Sequence, residues 1–454
     1  MNTTTTPAAR DVPRVPGVPV AGNAFAFLGD VLGFLRTQYR AFGPVFRVKL
    51  FTKEYWVLAG VEANQFLARA DGTVLSSRNL YPLGEQLGHA DYFLIAQDGE
   101  WHRTLRRLLS PGYNRRVYEQ EIPRAIEITR RFVREWQPGS RITVMHEMQR
   151  IITAQLGEII LGYPPPPEFF EDIRYYLNMA IRTSTIPLAP SFLTKWPRYL
   201  FAKQRVQRLG AKLLELERAR VARGEAPSSR LVADLLAFRD EHGNPVPEEA
   251  LQASIVSVYF AGMDTVAGTM TFALYAAHKF PGVLERVLAD AEALLAQPPE
   301  TIDRQTLKNA QALYGFVLEV LRMFPVAPIT PRVVAQTFEF AGYEIPKGVD
   351  ILVANALPHM LEEYFPNPDT FDIDRYTPER AEHRQPGVFA PFTLGPHTCL
   401  GAGIAEAQLM ITVATILHTA QLALDPPDTT VRMKFSPLPT PGFDFKMRVL
   451  DIKA

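Results

Sequence analysis

The stretch NPVPEEALQASIVSVYFAGMDTVAGTMTFALYAAHKFPG, residues 244–282, sets the first limit on the fold. Pro247 with Glu248 and Glu249 is a helix start, and Pro281-Gly282 is a stop. At about 1.5 Å per residue, the helix between them would run on the order of 45–50 Å. It is apolar on most sides, as a helix buried through a core must be. Only a large body of other elements can enclose such a rod. Helical patterns dominate from about residue 97 to 420, so the expected fold class is mainly α with small β-sheets.

The β pieces are few. GPVFRVKLFTKEYWVLAG (43–60) reads as two strands around a polar turn, and TFEFAGYEIPKGVDILV (337–353) as a second hairpin-like zone. A last strand pair is expected in 431–450. Proline-rich residues 12–21 read as a stiff, extended lead-in. With no repeat and no linker visible, residues 1–454 are read as one domain, with 1–24 as its lead-in.

Composition removes several function classes. Lys plus Arg equals Asp plus Glu at 48 each, which argues against a nucleic-acid partner. One cysteine allows no internal disulfide and fits a reducing compartment. The first residues, MNTTTTPAARDVPRVPGVPVAGN, lack a basic segment followed by an apolar run. The apolar stretch FAFLGDVLGFL is short and broken by Asp30, too short for a bilayer that needs roughly 20 apolar residues. A cytoplasmic protein without a transmembrane segment is the expectation. No strand leads into a G-x-G-x-x-G turn, so no flavin or nicotinamide module is read.

Four segments carry chemistry. The only cysteine, Cys399, lies in APFTLGPHTCLGAGIA (389–404). It is either a small buried hydrophobe or a thiolate held out for a partner. Gly395 and Pro396 shape a turn, and a helix begins at or just after Cys399, whose free N–H groups would favour a thiolate. Gly401 removes a side chain where a flat cofactor can approach. A sheltered thiolate is a good axial ligand for haem iron.

In the long helix, Ala261 and Thr265 share a face, with Gly262 beside them. The Thr265 hydroxyl can bond back to the Ala261 carbonyl, while Asp264 points about 100° away and can relay protons from solvent. Glu319 and Arg322 are three apart in a helix that ends at MFP. In DGEWHRTLRRLLSPGY (98–113), His102 and Arg106 share one helical face suited to an anionic group.

F-x-x-G-x-x-x-C-x-G, here Phe392, Gly395, Cys399 and Gly401, resembles the haem-ligand signature of the cytochrome P450 family. Thr393 departs from the glycine that many members carry. Ala261-Gly262-Met263-Asp264-Thr265 is similar to the family's oxygen-activation motif, and Glu319-x-x-Arg322 to its E-x-x-R pair. The resemblance covers nearly the whole chain, with four motifs in the family's order. It implies the cytochrome P450 fold, with haem b as cofactor and Cys399 as the iron ligand. It also implies Asp264 and Thr265 as the proton-delivery pair, and a structural cluster of Glu319, Arg322 and Arg375. His102, Arg106, Arg332 and His397 match positions that bind haem propionates; the usual aromatic is displaced to Trp101, which leaves open whether Trp101 or His102 faces the propionate.

By the same analogy Phe260, Ala261, Val326, Ala327, Ile329, Leu438 and Thr440 face the substrate, together with residues of 82–95. The implied reaction is a monooxygenation of a lipophilic small molecule such as a fatty acid, terpenoid or sterol. Dioxygen is consumed, and a separate ferredoxin or flavodoxin with its reductase delivers electrons. Arg103, Arg107, Arg115 and Arg116 form either a docking face for an acidic partner or a solvated helix surface. TIPLAPSFLTKWPRYLF (185–201) is read as a substrate-entry lid in preference to a membrane-grazing segment. The rival readings are a peroxide-driven peroxygenase, a haem sensor or lipophile carrier without turnover, and an isomerase or dehydratase.

Overall fold

Helix limits in this chain follow its proline and glycine punctuation. The structure, a computed structural model, describes residues 11–78, 90–184, 189–435 and 438–453. The long helix spans Glu248–Lys279, with Pro247 as its N-cap, Glu248 and Glu249 in its first turn, and His278 and Lys279 in its last. Acidic start and basic finish complement the helix dipole. The chain divides into two compact units.

The first unit comprises Met1–Asn79, Ala327–Pro368 and His383–Thr398. Its five-stranded sheet starts with the expected hairpin, Val45–Leu50 against Lys53–Leu58. Asp350–Val353 joins parallel to Lys53–Leu58, then Thr330–Val334 and Leu75–Ser76 follow antiparallel. The zone 337–353 therefore splits. Phe338–Phe340 and Tyr343–Ile345 form their own hairpin, while Asp350–Val353 enters the large sheet. Leu58, Leu67, Leu75, Ile351 and Val353 are buried in one apolar cluster on this sheet. The lead-in is docked: Val15 N–H donates to Arg47 O at 2.9 Å and Arg47 N–H to Pro13 O at 2.8 Å.

The second unit comprises Leu80–Val326, Asp369–Glu382 and Cys399–Ala454. Here the long helix packs against Val144–Gln155, Pro197–Ala222 and Ala402–Thr419. Gln311–Met323, the E-x-x-R helix, packs on Val283–Leu295. The strand pair expected in 431–450 is there, Lys434–Phe435 against Pro439–Thr440. A further strand, Lys446–Ile452, pairs with Ala420–Leu424 and Arg141–Thr143. Glu248–Lys279 and Ala402–Thr419 are long and apolar enough to cross a membrane by length and composition. Of their most apolar windows, 61% and 72% are buried in the structure, as in core helices.

Candidate functional site

Cys399 lies in the second unit, after a 3-10 turn at Gly395–His397. The following helix begins at Ala402, with Gly401 as its N-cap, a little later than the sequence suggests. Water can reach the sulfur, yet protein surrounds it on most sides. Burial pushes the thiol above its ordinary range; the Gly401 N–H and the Arg106 guanidinium pull it back only in part. At the free thiol, desolvation therefore outweighs these two contributions. A Cβ placed on Gly401 would meet nothing within 4 Å, so open space lies beside the loop.

On the long helix, Thr265 Oγ1 donates to Ala261 O at 2.7 Å. Ala261 is exposed and Thr265 partly so, although Tyr259, Gly262, Met263 and Asp264 around them are buried. An unfilled space therefore meets the middle of a core helix. Gly262 does not serve that space. A Cβ there would sit 2.8 Å from Leu156, so its small size lets the adjoining element Leu156–Leu161 pack closely. Asp264 is 6% exposed and accepts from Gln149 Nε2 at 2.6 Å. Burial pushes its carboxyl up to about 6, against the Gln149 hydrogen bond and the field of Arg174.

The helix Gly99–Leu109 buries His102 and half-buries Arg106, whereas Trp101 Nε1 donates to Asp91 O at 2.6 Å. His102, not Trp101, thus holds the inward position. Among the described residues no carboxylate pairs with Arg106. In the neighbouring basic run Arg103 and Arg107 pair with Glu100 of their own helix, and Arg115 with Glu119 of its own helix and Glu406 of Ala402–Thr419.

Glu319 is the centre of a fully buried cluster in the same unit. It accepts from Arg322 at 2.7 and 2.8 Å, from Arg375 Nε at 3.3 Å, from the Asp372 N–H at 2.8 Å and from Tyr376 OH at 2.8 Å. Arg322 and Arg375 both donate to Thr370 O as well. Sequence reasoning found the three charged residues and missed Tyr376.

Arg332 and His397 belong to the first unit, where both meet Asp71. Arg332 grips it with two bonds of 2.7 and 2.9 Å, and His397 Nδ1 lies 2.9 Å from Oδ2. His397 Nε2 is 3.0 Å from Ser77 Oγ. Thr393 takes a left-handed φ of 54°, the conformation that explains glycine at this place, and its hydroxyl pairs with Thr330 Oγ1 at 3.1 Å. A Cβ on Gly395 would come within 2.9 Å of the Ala68 backbone, so no side chain fits there.

Of the positions expected to face the substrate, Val326 and Thr440 converge on Gly268, where a Cβ would meet them at 3.5 and 3.8 Å. Thr440 is buried and its Oγ1 accepts from the Gly442 N–H. Phe260 packs against the Tyr176 ring at 5.7 Å, and Leu438 is half-buried. In the first unit Ala327 is exposed and Ile329 buried. Residues 82–89 and 185–188 of the expected substrate segments lie outside the described residues.

The cytochrome P450 family model matches residues 13–447. The chain belongs to the cytochrome P450 family. It is 26% identical over 439 residues to a putative cytochrome P450 120 of Synechocystis, covering 95% of each chain. To a putative cytochrome P450 139 of Mycobacterium bovis it is 27% identical over 436 residues, covering 93% of this chain and 98% of the relative. The fold matches the retinoic acid-bound cyanobacterial CYP120A1 with a TM-score of 0.83 at 23% identity, over 97% of this chain and 99% of that one. This P450 is an oxidoreductase of the monooxygenase type, and haem iron is its cofactor. The second unit fits that group on its own observations. It offers a lone sulfur donor, open space at Gly401 and Ala261, and a half-buried guanidinium at Arg106 without a carboxylate among the described residues.

Proposed function

We propose that this P450 hydroxylates or epoxidises a lipophilic small molecule of the fatty-acid, terpenoid or sterol kind, with haem b held by Cys399. Haem iron, when bound, supplies the redox chemistry that divides dioxygen between substrate and water. The observation that carries the reading is the open face at Ala261 and Thr265, set in a buried helix whose next residue is a buried acid. Because the Thr265 hydroxyl donates its hydrogen bond to Ala261 O, its oxygen lone pairs are left to accept a hydrogen bond. Asp264, with its carboxyl near 6, can both take up and release a proton close to neutral pH. His102, Arg106, Arg332 and His397 would hold the propionates. Gly401 and Ala261 would leave the ring its room. Glu319, Arg322 and Arg375 would brace the structure.

Phe260, Ala261, Val326, Ala327, Ile329, Leu438 and Thr440 would form a mostly apolar lining that excludes water. The retinoic acid of the cyanobacterial fold relative falls in the same chemical class. A separate ferredoxin or flavodoxin with its reductase would deliver electrons, in the cytoplasm. One family match runs through segments of both units, which supports reading 1–454 as one catalytic domain.

Spectral titration of the holoprotein against a lipophile library, followed by product analysis, tests the substrate class. The reduced carbon-monoxide spectrum should show the thiolate-type band and lose it in Cys399→Ala. Thr265→Ala should lower product formed per electron at least about tenfold, with dioxygen still consumed. Equal turnover with peroxide alone would favour a peroxygenase, and no product with any electron source a carrier.

A further inference from the structure

Gln149 is a polar residue on a face otherwise built of Met145, Met148 and Ile152, all buried. Its Nε2 reaches across 115 positions of sequence to Asp264 Oδ1. The amide's other end is as informative. Gln149 Oε1 is buried without a hydrogen-bond partner, and so is the Thr153 hydroxyl one turn further along the helix. Two buried polar atoms one helical turn apart are thus left without a protein partner.

The charged groups on neighbouring elements are held elsewhere. Glu147 is tied to His146 and Arg150, Glu158 to Arg124 and Arg131, and Arg218 to Glu248. Arg174, itself held by Glu171, is the one that acts on Asp264 through space. The direct partner of the acid is therefore neutral, and its chemistry differs from that of a cation. A lysine or arginine can only donate and would hold the carboxylate ionised. A primary amide donates through its NH2 to a carboxylate and, turned over, accepts through its oxygen from a carboxylic O–H.

We propose that Gln149 is a positioning residue that anchors Asp264 in both of its protonation states while a proton passes toward Thr265. One proton enters at an Asp264 oxygen and one leaves, so acid and amide return unchanged. The inference rests on the proton-delivery role given to Asp264 above.

The test compares wild type, Gln149→Leu and Gln149→Lys as holoenzymes. The Asp264 carboxyl band, identified by subtracting Asp264→Asn, is followed against pH by infrared difference spectroscopy. Gln149→Leu should raise the titration midpoint by about one pH unit, and Gln149→Lys should lower it by about as much. Product per electron should fall about tenfold in both. If the lysine variant does not fold, Gln149→Glu replaces it, and the two neighbouring carboxyls should titrate in two separated steps. A wild-type midpoint in the leucine and the second variant overturns the anchor. If Asp264→Asn keeps full product per electron while the midpoints still move, the anchor stands and the proton-delivery role falls.

Discussion

Glu319 in the second unit and Asp71 in the first are both buried carboxylates that gather two basic side chains, but the bases differ in kind. Glu319 holds two guanidiniums, Arg322 and Arg375, with Tyr376 and a backbone N–H filling its remaining lone pairs. Asp71 holds one guanidinium, Arg332, and one imidazole, His397, which also reaches Ser77. A guanidinium presents a planar fork of donors, whereas an imidazole presents one nitrogen to each of two partners. The first hub is a closed cluster of charges braced by a phenol. The second is smaller, and it carries the two residues proposed to meet an anionic ligand.

Breaking the closed cluster should have the largest effect. Glu319→Gln leaves the buried Arg322 without its carboxylate and Arg375 with Glu382 alone, and should destabilise the protein by about 3–5 kcal/mol, read as a lower denaturant midpoint and a loss of folded yield. Asp71→Asn should do less, about 2 kcal/mol, because it leaves a single buried guanidinium, Arg332, without its carboxylate. A loss as large as that of Glu319→Gln would erase the distinction.

A third measurement sharpens the contrast on the acid side. Burial raises the Asp71 carboxyl, but Arg332 and His397 override it and hold the group at about 2, below its ordinary 3.8. Its contribution is complete above 3.8 and is lost as the pH falls through about 2. The stability gap between wild type and Asp71→Asn, worth roughly 2 kcal/mol from this group, should therefore close between those two values. The smallest effect belongs to Tyr376→Phe, which removes one of several donors to Glu319. About 1 kcal/mol in unfolding free energy, with an unchanged carbon-monoxide spectrum, is expected.

What the sequence revealed was mostly local. The long helix announced itself through its proline and glycine ends, and Glu319 with Arg322 through a three-residue spacing on one helix. The Thr265 back-bond to Ala261 is likewise a property of neighbouring turns. Asp71 and Gln149 reach partners 261 and 115 residues away, and neither sits in a pattern that names its partner. Gln149 left one trace, a polar side chain on an apolar stripe; Asp71 left none. The same division holds near the end of the chain, where the expected local pair, Lys434–Phe435 with Pro439–Thr440, is present and the long-range pairing was not legible. Alternation marks Lys446–Ile452 as a strand, but only the fold brings Arg141–Thr143 beside it.

Gly268 is buried in the middle of the long helix, one turn beyond Thr265, where an alanine would make only ordinary contacts with Val326 and Thr440. A glycine in a helix interior forgoes about 1 kcal/mol relative to alanine. The chain therefore keeps a methyl-sized notch where a sturdier rod was available, and that notch is a natural dial for an engineer: one carbon added at 268 would both stiffen the helix and trim the room beside it.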